Sequence, residues 1–191
     1  MARRRADLAE AALRVMRRDG AWTVTTRAVA AEAGVPHGSV HYAFGGKEGL
    51  LQAVISADTE SAAGIFASVA AEGGTPEHVL ARAFTAYTDR VVADPDTELV
   101  LQELTLMGVR DAALGELVGR WTAEYRTSLA RLLDELAEQT GGAWQSPVPI
   151  IVEQLLGMLF GMTIAWLGDR DEALLRGALA DAARATAARL R

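Results

Sequence analysis

The segment "IIVEQLLGMLFGMTIAWLG", Ile150 to Gly168, is apolar nearly all round, and nothing else in the chain constrains the fold as strongly. A helix without a polar face must be covered on several sides, either by lipid or by protein. Glu153 interrupts the run and leaves only Gln154 to Gly168 uncharged. That is short of the roughly 18 to 20 apolar residues of a membrane span. A buried helix in a water-soluble fold is the expectation. Its cover comes either from a larger core of the same chain or from a second copy. The residues that favour close or apolar contact are Gly157, Gly161 and Trp166 here, with Leu175, Ala178, Leu179 and Ala182 on the segment that follows.

The rest of the chain reads as all-α. Glycine and proline punctuate helical patterns throughout, and no stretch alternates as a strand would. The expected helices are nine. The first covers Arg5 to Asp19 and ends at Gly20. The second runs from the cap Thr25 to Ala33 and the third from His37 to Ala43. A long fourth helix covers Lys47 to Ala71. Thr75-Pro76 opens a fifth that reaches Ala93, and Asp94-Pro95 a sixth that stops near Met107-Gly108. A seventh runs from Arg110 to Gln139. Ser146-Pro147 opens the eighth, and Asp169 with Glu172 resembles a capping box for a ninth over Asp171 to Leu190.

Charge divides unevenly along this string. Residues 1–52 hold eight basic and five acidic side chains, a net +3, whereas the remainder holds eleven basic and twenty acidic, a net −9. A positive head on a negative body points to a polyanionic partner at one end only. There is no cysteine, so thiolate metal sites, disulfides and cysteine nucleophiles are excluded. The basic start "MARRRADLAE" has no apolar run behind it, so it is not read as a secretory signal, and a cytoplasmic location is expected.

Within the head, two short helices joined at Gly34, with a third before them, make a helix-turn-helix. Val29 and Ala33 face inward from the first short helix, and Val40 and Phe44 from the second. Small Ala30 lets the backbones approach, and Gly34 supplies a positive φ. The start of the second short helix is left to solvent, where a major groove could receive it. Gly20, "TTRAVAAEAGV", "GSVHYAF" and "KEGLL", in this order and spacing, resemble the DNA-binding head of the TetR family of transcriptional regulators over Leu8 to Leu51.

That resemblance implies a DNA-binding head, residues 1–46, on a ligand-binding and dimerisation body, residues 47–191. It implies a homodimer that binds a palindromic operator and is released by a small molecule. By position, Thr25 and Thr26 meet phosphate, and Arg27 reaches a base edge or a phosphate. His37, Gly38, Ser39 and His41 are the candidates for base contact. Tyr42 touches the backbone with an exposed hydroxyl, while Phe44 belongs to the core. Lys47, the one lysine of the chain, holds a phosphate. Read from their charge alone, Arg3 to Arg5 are either a solvated tail or a flexible basic arm that contacts DNA non-specifically, and the arm is preferred. Pro36 departs from the family pattern by removing a polar cap, His41 by standing where an aromatic is common, and Ala43 by replacing a polar or aromatic residue.

The body carries large residues at helical spacing, and the resemblance implies a cavity among them. Candidates to line it are Phe66, Phe84, Tyr87, Thr88, Glu103, Met107, Trp121, Tyr125, Met158 and Met162. Such a lining suits an apolar or aromatic effector. A second copy is preferred as cover for the last two helices, because a palindrome requires a two-fold axis.

Competing classes find less in the sequence. His37, His41 and His78 are its three histidines. There is no HExxH, phosphate loop, nucleophile elbow or dinucleotide fingerprint, so no enzyme, cofactor or metal is expected. The alternative is a helical small-molecule carrier or adaptor with no DNA role.

Overall fold

The computed structural model describes residues 2–191, with side chains described except at 2 and 59–63. Among the described residues nine α-helices follow one another: α1 Ala2–Asp19, α2 Thr26–Glu32, α3 Gly38–Phe44, α4 Lys47–Glu72, α5 Pro76–Ala93, α6 Pro95–Arg110, α7 Ala112–Thr140, α8 Val148–Asp169 and α9 Glu172–Ala187. A 3-10 turn, Ala21–Thr23, lies between α1 and α2. The all-α expectation holds. Among the described residues the one β-type contact is an isolated antiparallel bridge between Trp144 and Leu190.

Two of the capping side chains expected from the sequence start their helices. The Thr25 hydroxyl accepts from Ala28 N at 3.1 Å, and the Thr75 hydroxyl from His78 N at 3.3 Å, with Pro76 preset for the first turn. Such caps are worth about 1 kcal/mol. Thr25→Ala is therefore expected to lower the unfolding free energy by about that amount in denaturant titration, and Thr25→Ser to restore it.

Four helix ends differ from the sequence reading. Helix α6 runs through Gly108 to Arg110, and the break falls at Asp111, whose carboxylate accepts from Ala113 N and Leu114 N at 3.0 and 3.1 Å. The cap of α9 is Asp171, which accepts from Leu174 N at 2.9 Å, rather than Asp169. Asp169 instead receives Asp171 N at 3.0 Å. Helix α9 stops at Ala187 because the last residues pair with the α7–α8 loop: Ala143 N donates to Arg191 O at 2.6 Å and Arg191 N to Ala143 O at 3.1 Å. Ser146 does not cap α8. Pro147 occupies that position with no side-chain bond.

The chain forms two compact units, residues 1–60 with 96–122, and residues 61–95 with 123–191. In the first, α1 contributes Leu8, Ala11, Ala12, Val15 and Met16 to the core, all within 2% of complete burial. In the second, α5 packs along α9 and α8 beside it. Tyr87 and Thr163 share a buried hydroxyl–hydroxyl bond of 2.8 Å, and Arg176 bridges from α9 to Asp89 on α5 at 2.8 Å.

Helix α8 is long and apolar enough, by length and composition, to cross a membrane. Here it buries Ile151, Val152, Leu155, Leu156, Leu159, Thr163 and Trp166. Ile150 and Ile164 stay half exposed, as does Leu174 of α9.

Candidate nucleic-acid interface

Helices α1, α2, α3 and the start of α4 carry the candidate interface. The turn between α2 and α3 follows from local chemistry. Gly34 takes φ +65°, and its N–H and that of Val35 return to Ala31 O and Ala30 O at 3.1 and 3.0 Å. Val29, Ala30, Val40 and Phe44 are buried, whereas Ala33 is only half-buried. This leaves His37, Gly38, His41 and Tyr42 exposed on α3 and at its cap, Tyr42 to 76%. Thr25, Arg27 and Lys47 are exposed as well, and Thr26 and Ser39 are partly covered.

The α3 candidates divide into two flanks. On one, His37 Nε2 lies 3.0 Å from Thr26 Oγ1, and the His37 and His41 rings meet edge-on with centroids 5.5 Å apart. His37 therefore joins the start of α2 to the start of α3, and it occupies the cap position of α3 without a side-chain bond to that helix's N–H groups. On the other flank, Arg4 Nη2 donates to Ser39 Oγ at 3.1 Å, and the Arg5 guanidinium lies 5.0 Å from the Phe44 ring centroid. Arg3 to Arg5 thus belong to the first turn of α1, which corrects their reading as a flexible arm.

Charge also links α2 to α1, beside the burial of Val29 and Ala30. Arg14 and Arg18 both meet Glu32, at 3.0 and 2.9 Å. Hydrogen bonds from Arg18 and then Arg14 hold the Glu32 carboxyl below the usual carboxylate range. Because the folded value is depressed, this contribution is present at neutral pH and fades as pH falls through the folded value. It is small, since the group is solvated. Sequence reading missed Glu32 because a charge on a short helix gives no sign of which neighbouring helix it meets.

The body candidates fall in both units. Glu103, Met107 and Trp121 lie in the first, and Phe66, Phe84, Tyr87, Thr88, Tyr125, Met158 and Met162 in the second. Trp121 Nε1 donates to the buried Asp58 at 3.2 Å, and Glu103 Oε2 accepts from Ala21 N at 2.6 Å. Phe84 is buried, and Thr88 donates to its carbonyl at 2.8 Å. Tyr125 stands edge-on to Phe160 at 6.2 Å. Phe66 borders a hollow of about 470 Å³ with Ala70, Ser128, Arg131, Leu132 and Glu135. Met162 borders another, of about 240 Å³, with Trp166, Leu174 and Leu175. Met107 and Met158 are half-buried.

On α8 and α9, Trp166, Leu175 and Leu179 are buried within the chain itself. Gly157 and Gly161 are exposed, and Ala178 and Ala182 half so. The apolar surface left uncovered there is therefore small side chains together with Ile150, Ile164 and Leu174.

Residues 8–54 match the family described as bacterial regulatory proteins, tetR family. No curated protein matches the chain's sequence. Among solved structures, the chain is similar to one assigned to the TetR family from Rhodococcus sp., with TM-score 0.85 and 21% identity, covering 97% of this chain and 99% of that one. It is similar to a TetR transcription regulator from Haloarcula marismortui, with TM-score 0.83 and 19% identity over 100% of both chains. It is also similar to the transcriptional regulator FadR from Bacillus subtilis in complex with stearoyl-CoA, with TM-score 0.79 and 17% identity, covering 93% and 96%. The head thus matches the tetR family in sequence over residues 8–54, and the whole chain shares the fold of these solved TetR-family structures.

Proposed function

We propose that the chain is a ligand-responsive transcriptional repressor, acting in the cytoplasm as a homodimer on a palindromic operator. The observation that carries this is the exposed set on α3 and its cap, His37, Gly38, His41 and Tyr42, with Thr25, Arg27 and Lys47 exposed nearby. All of these lie within the family-matched head. Phosphate contacts from Thr25, Thr26, Tyr42 and Lys47 set the register, while His37, Gly38, Ser39 and His41 read base edges and Arg27 serves either purpose. The head corresponds to residues 1–46 and the ligand-binding and dimerisation body to 47–191.

The exposed strip of α8 and α9 serves as the face for a second copy. Apolar side chains left in water on two adjacent helices gain from mutual cover. The effector is an apolar or aromatic small molecule held by body residues such as Phe66, Phe84, Tyr87 and Tyr125. The stearoyl-CoA of the Bacillus subtilis relative makes long-chain acyl compounds one class to include. Effector and operator oppose each other through one reciprocal coupling energy.

Selection of duplexes from a random library by the purified protein tests this reading. An inverted repeat with half-sites about one helical turn apart, or a multiple of it, is expected. Binding should weaken steeply with salt. Arg27→Ala and Lys47→Ala should each lower affinity about tenfold, and Lys47→Ala should reduce the salt slope by about one per half-site. A stable monomer, or a protein that enriches no duplex at low salt, would overturn the reading and leave the carrier role.

A further inference from the structure

A hollow of about 590 Å³ opens beside the recognition helix, lined by Arg4, Arg5, Ser39, Tyr42 and Ala43. Residues 39, 42 and 43 share one flank of α3, at i, i+3 and i+4. Two guanidinium groups and two hydroxyls therefore border one space, and among its lining residues there is no carboxylate. Resting on the DNA-binding reading above, we propose that this hollow receives a single phosphodiester of the duplex backbone, with Arg4 as its principal donor and Ser39 held in place by Arg4.

The chemistry favours phosphate over a base edge. A guanidinium has five N–H donors in a planar fork. One meets Ser39 Oγ at 3.1 Å. The rest of the fork suits the two free oxygens of a phosphodiester. Because Ser39 accepts from Arg4, its own proton is left to donate outward. The Tyr42 hydroxyl, on a side chain 76% exposed, supplies another donor on the same flank. Arg5 adds charge while its guanidinium rests 5.0 Å from the Phe44 ring centroid. That contact attaches the start of α1 to the core end of α3, so the basic turn is preset and loses little freedom on binding.

A charge placed this way strengthens every duplex about equally, whereas the histidine flank discriminates between sequences. The two flanks of α3 thus divide affinity from specificity, and Ser39 passes from the base-reading set to the phosphate side.

The test uses a duplex enriched by the wild-type protein and a set of its derivatives, each with one phosphate replaced by a neutral methylphosphonate. Arg4→Gln is expected to bind the intact duplex about tenfold more weakly and to lower the salt slope by about one per half-site, with melting temperature unchanged. One methylphosphonate position per half-site should cost the wild type about tenfold and cost Arg4→Gln almost nothing, the signature of a direct pair. Arg4→Lys should recover part of the affinity, and Ser39→Ala should keep the wild-type salt slope. Wild-type affinity and slope in Arg4→Gln would overturn the inference. So would a loss that is equal at every methylphosphonate position, since that is what a purely structural role predicts. Failure of the wild type to enrich any duplex would remove the DNA-binding reading itself, and this inference with it.

Discussion

Gly49→Ala is expected to destabilise the protein by about 2 kcal/mol, although alanine favours a helix over glycine by about 1 kcal/mol. The residue stands in the first turn of α4, where propensity alone predicts a gain. Space decides otherwise. A Cβ at this position would lie 2.1 Å from the Phe44 carbonyl oxygen and 3.1 Å from its carbon. Those are backbone atoms at the end of the recognition helix, and no side-chain rotation relieves the contact. The Gly45-Gly46 corner between α3 and α4 must move, and forced shifts of this kind cost about 1 to 3 kcal/mol or more. The clash therefore outweighs the propensity gain. Gly64→Ala is the control, in the same helix with nothing within 4 Å of the added carbon. It should stabilise by up to about 1 kcal/mol. Opposite signs for one substitution at two points of a single helix, read by denaturant titration, would confirm the steric cause. A stabilised Gly49→Ala protein would refute it.

Glu103→Ala carries the second large effect, a loss of about 2 kcal/mol. The Ala21 residue is completely buried, and its N–H donates to Glu103 Oε2 at 2.6 Å. Bonds to charged acceptors contribute about 1.5 to 3 kcal/mol, and a buried donor left without one incurs the full desolvation penalty. Glu103→Gln keeps an oxygen at the same reach, so it should retain more than half of the stability that alanine loses. Thermal and denaturant unfolding of the two variants separates these outcomes, and equal losses would count against the hydrogen bond. The sequence offered Glu103 as a candidate to line a ligand cavity. Its partner lies 82 positions earlier in the chain, and a main-chain N–H leaves no mark in the amino-acid code.

Local chemistry accounts for what sequence reading recovered. Thr25, Thr75, Pro76 and Gly34 fix helix ends through their own side chains or backbone freedom, and the structure places those ends where these residues require. Alternation of Val40 and Phe44 with exposed neighbours was visible for the same reason. Contacts between distant segments were not legible. The pairing of Ala143 with Arg191 ended α9 early, and the approach of Arg4 to Ser39 turned a supposed arm into part of a helix packed near α3. The body was least legible, because a stripe of aromatics at helical spacing has the same appearance whether it fills a core or encloses a ligand. Trp121 illustrates this. Its indole N–H is directed to Asp58, a buried carboxylate that periodicity did not single out.

Lys47 stands exposed at the first residue of α4, and the other eighteen basic side chains of this protein are arginines. Amine-directed reagents therefore find one side-chain target, beside the surface assigned to the duplex. Acylation there removes a positive charge without touching any guanidinium. A fluorophore coupled at that ε-amino group would report occupancy from a single known point, and shielding of the amine from acylation by added duplex would map the contact without a single mutation.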